Sequence, residues 1–148
     1  MVILEDTRQQ AGKHKNVHAY LDEQGIECQR CALYVGDYAL ANDQSVSVDT
    51  KVSVRELAMD IYQDHERFQR ECERAQSAGI RLIVLIEENL PQGGLRNWVP
   101  PEGCRIKPDA LRKAMITMMK KYGVRFEFCD GRSTGRKLVD LLTTRGNW

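Results

Sequence analysis

Residues 81–88 read RLIVLIEE, with an unbroken apolar run at 82–86. A run that apolar has no solvent-facing side. It predicts a strand covered on both faces, of the kind found inside parallel sheets. It is also the longest apolar run in the chain and far too short to span a bilayer. Parallel strands need crossover helices, so the run commits the chain to layered α/β architecture.

The flanking segments fit. VILEDT, residues 2–7, starts as an apolar strand and ends polar. Residues 13–24 predict a helix stopped by Gly25. IECQRCALYV, 26–35, reads as a second strand. GDYALAND runs on to a turn at Asn42-Asp43, and SVSVDTK, 45–51, forms the next strand. There Val46, Val48 and Thr50 share one face, while Ser45, Ser47, Asp49 and Lys51 share the other.

A long helix is expected from Ser53 to Gly79. Ser53 and Glu56 form a capping box, and Val54, Leu57, Ala58, Ile61, His65, Phe68, Cys72 and Ala75 line one side. After an aperiodic stretch from Asn89 to Pro108 come a helix from Asp109 to Lys121, a strand over 124–129, and a last helix from Ser133 or Thr134 through Leu142. The order is β-α-β-β-α-β-loop-α-β-α, a single 148-residue α/β domain with a mixed sheet flanked by helices.

Charge gives no global pointer to nucleic acid or membrane, because 22 Lys and Arg face 21 Asp and Glu. Basic surfaces must be local: Lys13/Lys15, Arg105/Lys107, Lys120/Lys121 or Arg132/Arg136/Lys137. The N-terminus lacks the basic start of a signal peptide. Five irregularly spaced cysteines do not form a disulfide framework. Together these features predict an intracellular protein with reduced thiols, in cytoplasm, nucleoid or nucleus. Cys28 and Cys31 form a CxxC, but no second ligand pair completes a zinc site, and a strand sends i and i+3 to opposite faces. They read as structural thiols. The histidines at 14, 18 and 65 have no evident partners.

The chemistry concentrates in VGDYALANDQSVSVDTK, 35–51. Asp49 and Lys51 project from one strand face about 7 Å apart. Asp37 opens the same hairpin-like unit, and Asp6 ends the first strand. Carboxylates converging with a lysine suit a divalent cation acting on a phosphodiester. Taken singly, Asp37 also fits a turn residue after Gly36, and Asp49 and Lys51 fit a solvated strand face. An Asp, eleven residues and then Asp-x-Lys between strand and helix is a narrower pattern than any of these alone.

DTR (6–8), GDY (36–38), DTK (49–51), the long helix and LIVLIEE together resemble the XPF-type structure-specific nuclease domain. That domain is a branch of the PD-(D/E)xK, restriction-endonuclease-like fold. The resemblance implies a Mg2+- or Mn2+-dependent DNA endonuclease acting on branched or flapped DNA, in repair or recombination. By position, Asp6, Asp37 and Asp49 become metal ligands together with the Thr50 backbone carbonyl. Lys51 becomes the catalytic lysine, and Arg8 acts near the phosphate. Three positions depart from the family pattern. Gln9 replaces a glutamate, Thr50 replaces an arginine, and Arg55 stands where the last aspartate is expected. Asp49 itself is one methylene shorter than the usual glutamate.

Family members add helix-hairpin-helix repeats, for which these 148 residues leave no room. DNA binding is therefore expected to rest on this domain, its homodimer or a partner protein. Arg132, Ser133, Arg136 and Lys137 in GRSTGRK are candidate DNA-backbone contacts, although a helix cap with solvated basic residues explains them as well. Arg96 and Trp98 are candidates for charge and stacking contacts. The alternative function is a catalytically silent DNA-binding or scaffolding module that keeps the fold.

Overall fold

The computed structural model describes residues 1–10, 12 and 14–147, the side chain of Asn147 aside. Lys13, the expected first residue of the first helix and one of the basic candidates, lies outside the described residues. Six strands form one sheet: β1 (Val2–Asp6), β2 (Glu27–Cys31), β3 (Tyr38–Leu40), β4 (Asp43–Lys51), β5 (Arg81–Ile86) and β6 (Arg125–Phe128). Five α-helices accompany them: α1 (Lys15–Glu23), α2 (Val54–Tyr62), α3 (His65–Ser77), α4 (Pro108–Tyr122) and α5 (Thr134–Thr143).

The strand order is β2-β1-β3-β4-β5-β6. β1 and β2 are parallel, as are β4, β5 and β6, while β3 runs against both of its neighbours. The mixed α/β sheet expected from the sequence is therefore present. The apolar run lies in β5, where Ile83, Val84, Leu85 and Ile86 have no exposure. Burying each such side chain contributes about 1.5–3 kcal/mol of transfer free energy.

Two cores cover the sheet. Leu82, Val84 and Ile86 pack on one face with Val54, Leu57, Ala58 and Ile61 of α2, Phe68, Cys72 and Ala75 of α3, and Leu111 and Met115 of α4. Val46, Val48, Ile83 and Leu85 pack on the other with Val17 and Leu21 of α1 and Leu138, Leu141 and Leu142 of α5. The alternation of SVSVDTK thus assigns faces correctly, but neither face is solvated. Val46 through Lys51 are all buried.

Two elements differ from expectation. The apolar stripe from 54 to 75 is two helices. Gln63 and Asp64 both donate to Met59 O (2.7 and 3.1 Å), and α3 restarts at His65. His65 therefore leaves the stripe and is exposed, its ring Nδ1 bonded to Ile61 O at 3.2 Å. Three residues of GDYALAND, Tyr38–Leu40, also form β3, where the sequence predicts only a run into the turn at Asn42-Asp43. A three-residue strand gives too little alternation to register as periodicity.

Candidate active site

All strands except β3 run the same way, so the C-terminal ends of β1 and β4 lie at one edge of the sheet, beside the start of β3. Asp6 is the last residue of β1, Asp49 and Lys51 close β4, and Asp37 precedes Tyr38, the first residue of β3. The topology therefore brings together residues separated by more than forty positions. Asp37 is the backbone bridge: its N–H donates to Val48 O, and its carbonyl accepts from Asp6 N, both at 2.8 Å.

Gly36 makes that bridge possible. Its φ of +76° is left-handed, and a Cβ there would run into Ser47 Oγ. Ser47 has little freedom to yield, because its hydroxyl donates to Val35 O at 2.7 Å and to Tyr38 O at 3.2 Å. Gly36→Ala is expected to destabilise the fold by about 1–3 kcal/mol, read as a lower urea midpoint. An unchanged midpoint would mean that the turn tolerates a side chain.

The residues line a cleft of about 620 Å³ whose walls are Asp6, Asp37, Asp49 and Lys51 from the sheet edge and Asp60, Arg67, Glu71 and Arg74 from α2 and α3. Asp6, Asp37 and Asp49 are 3%, 5% and 6% exposed. Asp6 accepts from Arg8 Nε at 2.8 Å and from Leu33 N at 2.9 Å. Asp37 Oδ2 accepts from both the N–H and the hydroxyl of Thr50, at 2.8 and 2.7 Å. Gln9 donates its amide to Asp37 Oδ1, and its own carbonyl accepts from His14 at 2.9 Å. Gln9 thus reaches the cluster as a donor that steadies Asp37, and Thr50 orients the same carboxylate.

Lys51 lies 3.0 Å from Asp49 Oδ2 and 2.5 Å from Asp60 Oδ2, with its ammonium 5.5 Å from the Phe68 ring centroid. Asp49 Oδ2 is buried and takes no well-aligned hydrogen bond, the Lys51 ammonium being its ion-pair partner. Burial works against the Lys51 charge, but Asp49 and Asp60 override it and hold the ammonium above the usual lysine range.

The acids are short of positive charge. Burial first, then the charge of Asp37, pushes Asp49 up to about 7. Burial also raises Asp37. Glu71 is pushed up to about 7 by burial and then by Asp49. Clustered carboxylates that resist ionisation offer hard oxygen donors of the kind a divalent cation takes, although among the described residues three ligand atoms converge within 4.8 Å of one another only at Glu5, His18 and Cys28.

Asp60 and Glu71 were not among the candidates read from the sequence. Each lies on a helix next to core positions, Asp60 before Ile61 and Glu71 before Cys72, and nothing in the helical period marks such a boundary carboxylate as part of a site. The GRSTGRK candidates are elsewhere. Arg132 is exposed and paired with Asp130. Ser133, Arg136 and Lys137 line a separate recess with Tyr20 and Cys129. Arg96 is exposed and is not among the residues lining the cleft. Trp98 is only 6% exposed and donates its Nε1–H to Glu88 at 2.9 Å. It anchors the long loop against the core and presents no ring for stacking, a correction to the sequence reading.

The histidines at 14 and 18 are likewise not partnerless. His14 bonds Gln9 and meets the Tyr38 ring edge-on, with centroids 5.6 Å apart. His18 bonds Glu5 at 2.7 Å, and the same carboxylate takes Arg30 at 2.6 Å and the Tyr38 hydroxyl at 2.8 Å. Cys28 lies near this network. Cys31 packs with Leu4, Leu33 and Ala39 in a different cluster, so the two thiols of the CxxC are separate and free.

The ERCC4 domain family matches residues 6–141, a span that contains every acid of the cleft. This chain is an XPF-type (ERCC4) nuclease domain. Among solved structures, XPF from Aeropyrum pernix is similar at 19% identity with a TM-score of 0.70. XPF from Aeropyrum pernix in complex with DNA is similar at 20% identity with a TM-score of 0.71. Each match covers 99% of this chain and 65% of the other, so the ERCC4 domain described here spans about two-thirds of those chains. No curated protein matches it in sequence. The likeness to both structures is one of fold. None of this domain's described helices is long and apolar enough to cross a membrane.

Proposed function

We propose that this ERCC4 domain is a magnesium- or manganese-dependent DNA endonuclease whose substrates are branched or flapped DNA. The observation that carries the reading is the cleft itself. Asp37, Asp49 and Lys51 meet at one sheet edge, with the Lys51 ammonium 3.0 Å from Asp49 Oδ2. Asp37 and Asp49 would hold the cation, with Asp6 and the Thr50 carbonyl completing the set. Bound there, it would supply charge neutralisation at the scissile phosphate and a more acidic water.

The chain's own residues do the positioning. Thr50 and Gln9 fix Asp37 from two sides. Asp49 and Asp60 hold the Lys51 ammonium in place, where a charge in a water-poor site acts strongly on developing negative charge. Arg8, tethered to Asp6 and to Leu33 O at 2.7 Å, keeps an exposed guanidinium beside the cleft. Arg67 and Arg74 add positive charge on the α3 wall. These arginines, rather than the α5 basic residues, are the phosphate contacts closest to the acids. The DNA complex of the similar archaeal protein supports nucleic acid as the ligand. Pairing with a second copy or a partner protein belongs to the same proposal.

The test is an assay of single-stranded, duplex, flap and fork DNA with magnesium, with manganese, and with chelator. Metal-dependent cleavage, fastest on flap or fork DNA, is expected. Binding to these DNAs without cleavage in either metal would favour the silent module instead.

A further inference from the structure

The structure assigns a zinc site to Glu5, His18 and Cys28, on the α1 side of the sheet and in a recess that shares no lining residue with the cleft. The assignment does not rest on the nuclease reading.

Three elements build the site. Parallel pairing sets Ile3 beside Cys28 and Glu5 beside Arg30. Ile3 packs on Val17 and Leu21 of α1, so this face of β1 and β2 looks toward that helix. From α1, His18 and Asp22 reach the same recess at i and i+4. A carboxylate oxygen of Glu5, a ring nitrogen of His18 and the Cys28 sulfur all lie within 4.8 Å of one another. Tetrahedral zinc, with bonds of about 2.0–2.3 Å, holds its ligand atoms about 3.3–3.6 Å apart. His18 and Cys28 are only half-buried, and small side-chain rotations bring them to that spacing.

Glu5 is 1% exposed, yet one of its bonds can be exchanged. Arg30 occupies Oε1 at 2.6 Å. Oε2 takes the Tyr38 hydroxyl at 2.8 Å and His18 Nε2 at 2.7 Å. A cation on Oε2 replaces only the His18 bond and keeps His18 as its own ligand. The Cys28 thiol gives its proton to solvent as the sulfur–metal bond forms. Glu5, the Cys28 thiolate and Asp22 at the rim then balance Arg30 and one divalent ion. Thiolate and imidazole select zinc over magnesium or manganese. The recess, about 260 Å³, leaves the fourth position to water or Asp22. β2 is an edge strand paired only with β1, and a cation here ties it and α1 to the sheet.

Cobalt(II) titration of the reduced protein tests this, because a cobalt–thiolate bond gives a near-ultraviolet charge-transfer band that a carboxylate cleft does not. The unmodified protein is expected to show the band, and zinc is expected to abolish it by displacing cobalt. Cys31→Ser and Asp49→Ala should both keep it. Cys28→Ser should lose it, and so should His18→Gln, whose amide can still donate to Glu5; circular dichroism checks that each is folded. Zinc in hundredfold excess over its dissociation constant should raise the melting temperature of Asp49→Ala by about 5–10 °C, and that rise should vanish when Cys28→Ser is added. Absence of the band from the unmodified protein, or its persistence in either Cys28→Ser or His18→Gln, would overturn the assignment.

Discussion

Replacing Lys51 with methionine is expected to slow cleavage by on the order of 10²–10³-fold at saturating manganese, with cation affinity retained. Methionine preserves most of the apolar stem that packs near Phe68, so the change isolates the ammonium. Lys51 is only 9% exposed, and its ammonium sits between two carboxylates at 3.0 and 2.5 Å. Such a clamp costs nothing to reorganise when negative charge develops nearby, which is the condition for a large electrostatic contribution to rate. Removing it also leaves Asp49 and Asp60 without their cation. The metal-free protein should therefore melt lower, and added manganese should recover part of the loss. Single-turnover cleavage by the folded variant is the measurement. A rate equal to that of the unmodified protein would make Lys51 a structural ion-pair partner and nothing more.

Asp49→Asn is expected to do opposite things to activity and stability. Cleavage should be lost, since the proposed ligand is gone. The metal-free protein should gain on the order of 1–2 kcal/mol at pH 8. The sign follows from proton binding. In the folded protein Asp49 and Glu71 are raised to about 7, from ordinary values of 3.8 and 4.5. Between roughly pH 4 and pH 7 the folded state therefore holds more protons than the unfolded chain, and stability falls as pH rises. Above that window the whole contribution is lost, and the folded protein carries its crowded carboxylates ionised.

An amide at position 49 removes one of those charges; its oxygen can still face the Lys51 ammonium, and its N–H₂ can donate toward the Asp37 carboxylate. Melting curves from pH 5 to pH 8, with chelator and with manganese, read both effects. The unmodified protein should lose stability across the range only when metal-free. A flat profile, or an Asp49→Asn variant less stable at pH 8, would mean that the acids are not short of positive charge.

Much of this molecule was legible before any coordinates. Asp37, Asp49 and Lys51 could be found because spacing on a strand fixes which side chains share a face, and because the Gly-Asp pair and the Asp-x-Lys triplet lie close in sequence. The buried β5 followed from a run with no polar side. The two-helix structure of 54–77 did not follow, because a break at Gln63 and Asp64 leaves the spacing of the apolar stripe intact on either side of it. Only the exposure of His65 betrays the break, and exposure is a tertiary property.

Sequence by itself determined the layered α/β class, the strand faces and the core of the acid motif, all of which depend on periods of two and 3.6 along a local segment. Tertiary structure alone decided which residues close the site. Asp60 and Glu71 join it because α2 and α3 supply a wall of the same cleft that the end of β4 lines. Gln9 becomes a donor to Asp37 because the parallel strands end at one edge, and Trp98 is withdrawn into the core by its bond to Glu88. The physical reason is the same in each case. A side chain's charge state and partners depend on what packs across from it in space, and no local period encodes the neighbour that arrives from a different element.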